Sequence, residues 1–171
     1  MDFRFRGIPA DVAMEVRTTM RAPDYGHPAY KALAQSYGPC RLCLRTFRIG
    51  EEERILFTYN PFPQDELPAP GPVFIHARAC ERYDSPALPP ELRALPMVLE
   101  GYGLAGELLT RERAAGYALE PLLERIFVRD GARYVHIRNG EAGCFMARVD
   151  LPGARTTRVH GADPCTEIAT P

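Results

Sequence analysis

The sequence has no tryptophan, only one lysine (Lys31), and no apolar run approaching the roughly 18 residues of a membrane span. A membrane helix is therefore not expected. The N-terminus, Met1-Asp2-Phe3-Arg4-Phe5-Arg6, lacks the apolar core of a secretory signal, so a cytoplasmic protein is the expectation. An excess of one charge is missing too: 21 basic residues stand against 22 acidic ones, interspersed, for a formal charge of -1. No global field draws the chain to nucleic acid or to a membrane surface, and neither is expected as a partner. The chain contains no GxxxxGK[ST], no DxDxDG loop and no GxSxG elbow, and its Gly101-x-Gly103-x-x-Gly106 falls in the hairpin over Tyr102 to Leu109 rather than opening a helix. This argues against a dinucleotide fold, a P-loop, an EF-hand and an α/β-hydrolase nucleophile. The run Glu51-Glu52-Glu53 reads as solvated charge at a strand start rather than a hard-cation site.

What is present is an ordinary globular mixture, 171 residues with 46% hydrophobic and 25% charged, without internal repeats or a dividing linker. A chain of this length buries roughly 70% of its unfolded surface, so neither disulfides nor a metal are required for stability as such. Phe3 to Arg6 alternates like a short edge strand, and Pro9 opens a helix through Val16. Ala29 to Tyr37 suggests a second short helix, closed by Gly38-Pro39. Ile55 to Tyr59 and Pro72 to Ala77 read as strands. The prolines at 61, 63, 68, 70 and 72 make the segment between them a surface loop. Met97-Val98-Leu99 leads into a hairpin over Tyr102 to Leu109, and Leu119, Leu122, Leu123, Ile126 and Phe127 recur at helical spacing up to Gly131. Tyr134 to Ile137, a turn over Asn139 to Gly143, and Cys144 to Val149 form a C-terminal hairpin. The expected fold is a single α+β domain over residues 1–151, mainly antiparallel sheet with two or three helices and long proline-rich loops. Residues 152–171, with few large apolar side chains, are expected to be a poorly packed tail.

The sharpest chemical pattern is Cys40-x2-Cys43 followed by His76-x3-Cys80. Three thiolates and one imidazole suit zinc, the first pair closing one edge of a tetrahedron. Against this, Leu42 and Leu44 stand where zinc knuckles favour glycine or a small polar residue, and the alternative is that the thiols are small buried hydrophobes and His76 a hydrogen-bonded strand residue. Thiol redox chemistry at Cys40 would draw on Arg41 and Arg45, but the aromatic residue and Gly-Pro-like insert of thioredoxin-type pairs are absent. Cys144 and His136 are expected nearly opposite each other across the last hairpin, either as nucleophile and base or as a packed thiol beside a satisfied histidine. Arg138 and Asn139, with the amides of Gly140 and Gly143, offer either a small anion-binding concavity or plain turn chemistry.

Pro39-Cys40-Arg41, Gly50-Glu51 leading to Ile55-Leu56, Gly71-Pro72-Val73-Phe74-Ile75, and Tyr134-Val135-His136-Ile137-Arg138-Asn139 with Gly143-Cys144-Phe145 occur in an order that resembles the bacterial family of domain of unknown function 1203. The resemblance covers about residues 3 to 150. It implies a bacterial cytosolic protein of single-domain size and brings no established activity, substrate or cofactor. The family pattern does not require cysteine at position 43 or histidine at 76, so it implies no metal set. Its better-matching polar positions are Cys40, Arg41, His136, Arg138, Asn139 and Cys144, which would converge if the Cys40 segment packs beside the last hairpin. The expected function is a non-catalytic module binding a small ligand or a protein partner, with the 61–72 loop and the C-terminal hairpin as surfaces. Two alternatives stand beside it: a zinc-stabilised module using Cys40, Cys43, His76 and Cys80, and a cysteine-dependent enzyme or thiol sensor using Cys40 or Cys144. A homodimer through an exposed strand edge is a further expectation.

Overall fold

The computed structural model describes residues 1–62, 70–114 and 118–152. The expected tail, from residue 153 on, and most of the proline-rich loop lie outside the described residues. Nine strands and three helices are seen among the described residues, in a single-domain α+β arrangement of two antiparallel sheets. Strands β1 (Arg4–Arg6), β5 (Asp84–Ser85), β6 (Met97–Tyr102), β7 (Leu108–Ala114), β8 (Tyr134–Asn139) and β9 (Phe145–Asp150) form a six-stranded sheet in the order β5-β1-β9-β8-β6-β7. Strands β2 (Tyr30–Leu33), β3 (Glu53–Tyr59) and β4 (Gly71–His76) form the smaller sheet.

Helices α1 (Ala10–Thr19) and α3 (Leu119–Val128) begin and end near the expected positions, and a single turn, α2 (Pro90–Arg93), lies between β5 and β6. In α3 the residues Leu119, Leu123, Ile126 and Phe127 are buried, and they pack in one cluster with Leu99, Val135, Ile137 and Val149 from the large sheet. A second cluster joins Ala13 and Val16 of α1 to Ile55, Phe57, Val73 and Ile75 of the small sheet and to Cys40 and Leu42.

Two expectations about elements change. Residues 30–33 are a strand, not a helix: they pair with β3 from Tyr30 opposite Leu56 to Leu33 opposite Glu53. Every residue of β2 is exposed, so no apolar stripe holds a helix here, and the free edge of β3 supplies hydrogen-bond partners that outweigh helix propensity. The N-terminal strand is not an edge, because β5 pairs beyond it. Its arginines alternate because they meet acids rather than solvent: Arg4 and Arg6 both reach Asp84, and Arg6 also reaches Asp150.

The sheets position side chains by their period of two. In β8, Val135 and Ile137 enter the core with α3, which turns Tyr134, His136 and Arg138 to the opposite face. Glu100 of β6 pairs with His136, and Val98 with Arg138, so this second face carries polar and charged groups. Close packing at the last turn fixes its glycine, since a Cβ on Gly140 would stand 2.9 Å from the backbone of Pro96.

Candidate functional site

The Cys40 segment is a tight turn. The Cys40 amide donates to the Arg45 carbonyl at 2.9 Å and the Leu44 amide to the Cys40 carbonyl at 2.8 Å, while the Arg41 amide ties the turn to β4 at Phe74. Leu44 adopts a φ of 57°, the left-handed conformation that glycine takes without cost. Its side chain is fully buried in the core of the large sheet, which compensates for that strain. The leucine that argued against a metal turn therefore takes the backbone conformation of one.

His76 is the last residue of β4 and Cys80 follows four residues later, so both face the turn. The donor atoms of Cys40, Cys43, His76 and Cys80 all lie within 4.8 Å of one another. The sulfurs of Cys40 and Cys80 are 3.9 Å apart, and Cys43 Sγ is 3.4 Å from His76 Nδ1. The backbone N–H of His76 donates to Cys40 Sγ at 3.4 Å. Arg17 of α1 donates through Nη2 to Cys80 Sγ at 3.3 Å and through Nε to the His76 carbonyl at 3.1 Å. On the far side of the ring, His76 Nε2 is 3.5 Å from Glu52, whose carboxylate is gripped by both Nη atoms of Arg45 and by the Arg48 amide.

Proton affinities follow from this crowding. Burial opposes charge on Cys40, but hydrogen bonds from Cys43, Cys80 and His76 outweigh it and hold the thiol low. Cys43 is pushed up by its hydrogen bonds with Cys40 and Cys80 and by burial. Burial favours neutral His76, yet hydrogen bonds to Cys40 and Cys80 raise it to about 9. The Arg45 hydrogen bond lowers Glu52 to about 2, so its carboxylate stays ionised behind the imidazole. A cavity of about 420 Å³ opens beside the cluster, lined by Arg45, Arg48, Glu52, His76, Arg78 and Cys80 among others. The acidic run is spent on ion pairs, with Glu51 and Glu52 on Arg48 and Glu53 on Lys31.

The other positions divide into two groups. Arg41 does reach the last hairpin: it is buried, and its guanidinium donates to the Phe145 carbonyl at 2.5 Å, to the Pro39 carbonyl at 2.6 Å and to Cys144 Sγ at 3.1 Å. Cys144 does not face His136. Arg148 stands opposite His136, Phe145 opposite Arg138, and the Cys144 carbonyl closes the turn onto the Asn139 amide. The turn closes between Asn139 and Cys144, so the cysteine stands at the end of the hairpin, level with Asn139 rather than with His136, and the two cannot act as nucleophile and base. His136 is instead enclosed by the rings of Phe62, Tyr102, Tyr134 and Phe145 at centroid distances of 5.0 to 5.1 Å. Its Nδ1 has no hydrogen-bond partner among the described residues, and burial, with Arg148 and Arg138 nearby, drives it strongly toward the neutral form.

Arg138 is held by Glu100, whose carboxylate also accepts from Tyr102 at 2.6 Å and from Arg111 at 2.9 Å. The concavity expected from backbone amides is not available: the Gly140 amide is bound to Pro96 and the Gly143 amide to Asn139, whose Oδ1 accepts from Glu141 and Ala142. Sequence reasoning missed Arg17, Glu52 and Glu100. Only their partners distinguish them from other charged residues: Cys80 for Arg17, Arg45 and His76 for Glu52, and Tyr102, Arg111 and Arg138 for Glu100.

No curated protein and no solved structure is detectably similar to the chain. The family model described as "Protein of unknown function (DUF1203)" matches residues 38–150, a span that takes in the cysteine turn, His76, Cys80 and the last hairpin. By that match over more than half its length, the chain belongs to the DUF1203 family.

Proposed function

We propose that this protein is a zinc-stabilised module in which Cys40, Cys43, His76 and Cys80 hold one structural zinc. The observation that carries the reading is the mutual approach of the four donor atoms to within 4.8 Å. Donors at roughly 2.0 to 2.3 Å from a tetrahedral ion stand about 3.3 to 3.8 Å from one another, about 3.8 Å for two sulfurs and about 3.5 Å for sulfur and nitrogen, and the Cys40–Cys80 and Cys43–His76 separations of 3.9 and 3.4 Å lie close to those edges. Four protein ligands close the coordination shell, so the role is structural rather than catalytic. The ion would fasten the turn at 40–43 to the end of β4 and to the segment after it.

The surroundings support the same reading. His76 offers Nδ1 to the cluster while Nε2 meets Arg45 Nη2 at 2.9 Å and the ionised Glu52 at 3.5 Å, contacts that fix the orientation of the ring. Three thiolates and zinc carry a net charge of about -1, which the Arg17 guanidinium at Cys80 balances. Elemental analysis of purified protein tests the proposal, with expected content of one zinc per chain. Cys43→Ala should lose both the metal and part of the stability. Protein that takes up no zinc when refolded with it, and whose thiols alkylate in the folded state, would overturn the reading in favour of thiol chemistry.

A further inference from the structure

The polar face of the large sheet contains a second built feature, which shares no residue with the cluster of Cys40, Cys43, His76 and Cys80. Glu100 is 3% exposed, and its carboxylate serves as acceptor for Tyr102, Arg138 and Arg111 together. A buried ion pair is a poor source of stability, because desolvation cancels most of the attraction. It is an effective way to fix guanidinium groups in place. Here one carboxylate holds two of them at the wall of a groove of about 450 Å³ whose lining also includes Val98, Arg113 and Gly140.

The register shows why this groove is short of negative charge. Val98 stands opposite Arg113 on one side and opposite Arg138 on the other, so two arginines flank a single apolar floor residue. Arg113 makes no ion pair among the described residues. Around the groove three guanidiniums, of Arg111, Arg113 and Arg138, meet two carboxylates, Glu100 and Glu141. Glu141 is exposed on the turn and Glu100 is already shared. Planar guanidiniums held in advance suit the paired oxygens of a carboxylate or phosphate, and the Val98 floor suits an apolar body attached to it.

We infer that this groove binds a small organic oxyanion, a carboxylate or phosphate monoester, through Arg111 and Arg113 with Arg138 at its base. The site shares no ligand with the cysteine cluster and does not depend on metal. The test titrates inorganic phosphate and, separately, citrate into the full chain at constant ionic strength, following backbone amide resonances by NMR. Up to about 20 mM of either probe covers a site of millimolar affinity. Saturable shifts confined to Val98, Arg113 and residues 139–143 are expected, weakened about tenfold or more by Arg113→Gln. Arg111→Gln, an exposed side chain, should weaken them as well. Stronger response to citrate assigns a carboxylate ligand, and stronger response to phosphate assigns a phosphate ester. Shifts that do not saturate with either probe, or that both variants leave unchanged, would overturn the proposal.

Discussion

The two apolar clusters are built from different material. Around the large sheet the core consists of Leu88, Leu92, Leu99, Leu119, Leu123, Ile126, Phe127 and similar side chains. Around the small sheet it includes Ala13, Ala22, Ala29, Ala34 and Cys40 beside fewer large residues. Burial stabilises in proportion to apolar area, so an alanine-rich cluster contributes less per residue than a leucine-rich one. The expectation that a chain of this length needs no metal is an average over both halves. The four-ligand cluster lies in the half where area is scarcest, and the zinc proposed above would supply there what side-chain size does not.

Breaking that asymmetry gives the largest expected effect. Structural zinc in small modules contributes apparent binding energies of about 10 to 16 kcal/mol, so stripping it should cost far more than any single core truncation. Hydrogen exchange in the presence of a strong chelator should show amides of β3 and β4 losing protection while those of β6 and β8 keep theirs. Simultaneous loss in both sheets would mean that the halves unfold as one unit and that the difference in packing carries no difference in local stability.

The large sheet has its own sensitive point. Glu100→Ala would leave Arg138, whose side chain is 11% exposed, with its charge buried and unpaired. A loss of about 3 to 5 kcal/mol in urea denaturation is expected, with zinc content unchanged. An equal effect on metal content would show that the two regions are coupled through Arg41, which contacts both the cysteine turn and the last hairpin.

Leu44 sharpens the comparison because it belongs to both regions: its backbone shapes the cysteine turn and its side chain fills the core of the large sheet. Leu44→Gly removes about 1 to 2 kcal/mol of left-handed strain but also a buried side chain worth about 2 to 5 kcal/mol. A net destabilisation of about 2 kcal/mol is expected with zinc affinity retained or improved, measured by denaturation and by competition with a chromogenic chelator.

Much of the architecture was legible where the pattern is local. The stripe of Leu119, Leu123, Ile126 and Phe127, the turn at Asn139 to Gly143, and the Cys40-x2-Cys43 and His76-x3-Cys80 spacings each name a structure from neighbouring residues alone. What was not legible depends on partners remote in the chain. Residues 30–33 carry no signal strong enough to choose a strand until β3 presents its edge. Arg4 and Arg6 look solvent-facing until Asp84 and Asp150 arrive from residues about eighty and more than a hundred and forty positions away. The expected pairing of Cys144 with His136 failed because the turn closes with Asn139 against Cys144 and the strands pair outward from there, which leaves Arg148 opposite His136.

The smallest and most selective effect concerns the two histidines buried among the described residues, which the two halves shift in opposite directions. His136, in its aromatic enclosure, is held well below its ordinary value of 6.5 by burial. A base whose folded value is depressed contributes stability that is complete above pH 6.5 and is lost as pH falls below it, with a slope approaching about 1.4 kcal/mol per pH unit. His76 is raised to about 9 by its thiol partners, so its contribution is complete below pH 6.5 and is lost as pH rises toward 9. Coordination to zinc replaces the proton on Nδ1 and removes that alkaline dependence, because a metal-bound imidazole does not titrate in this range. Zinc-loaded protein is therefore expected to weaken on the acid side alone, and chelator-treated protein on both sides. His136→Leu, which also removes the unpartnered Nδ1, should flatten the stretch between pH 6.5 and about 5.5 and leave the alkaline behaviour of the stripped protein intact. Chemical denaturation across that range reads both limbs. An acid slope that persists in the His136 variant would assign it to the carboxylates or to proton competition at the zinc ligands instead and leave the caged histidine without a part in the pH response.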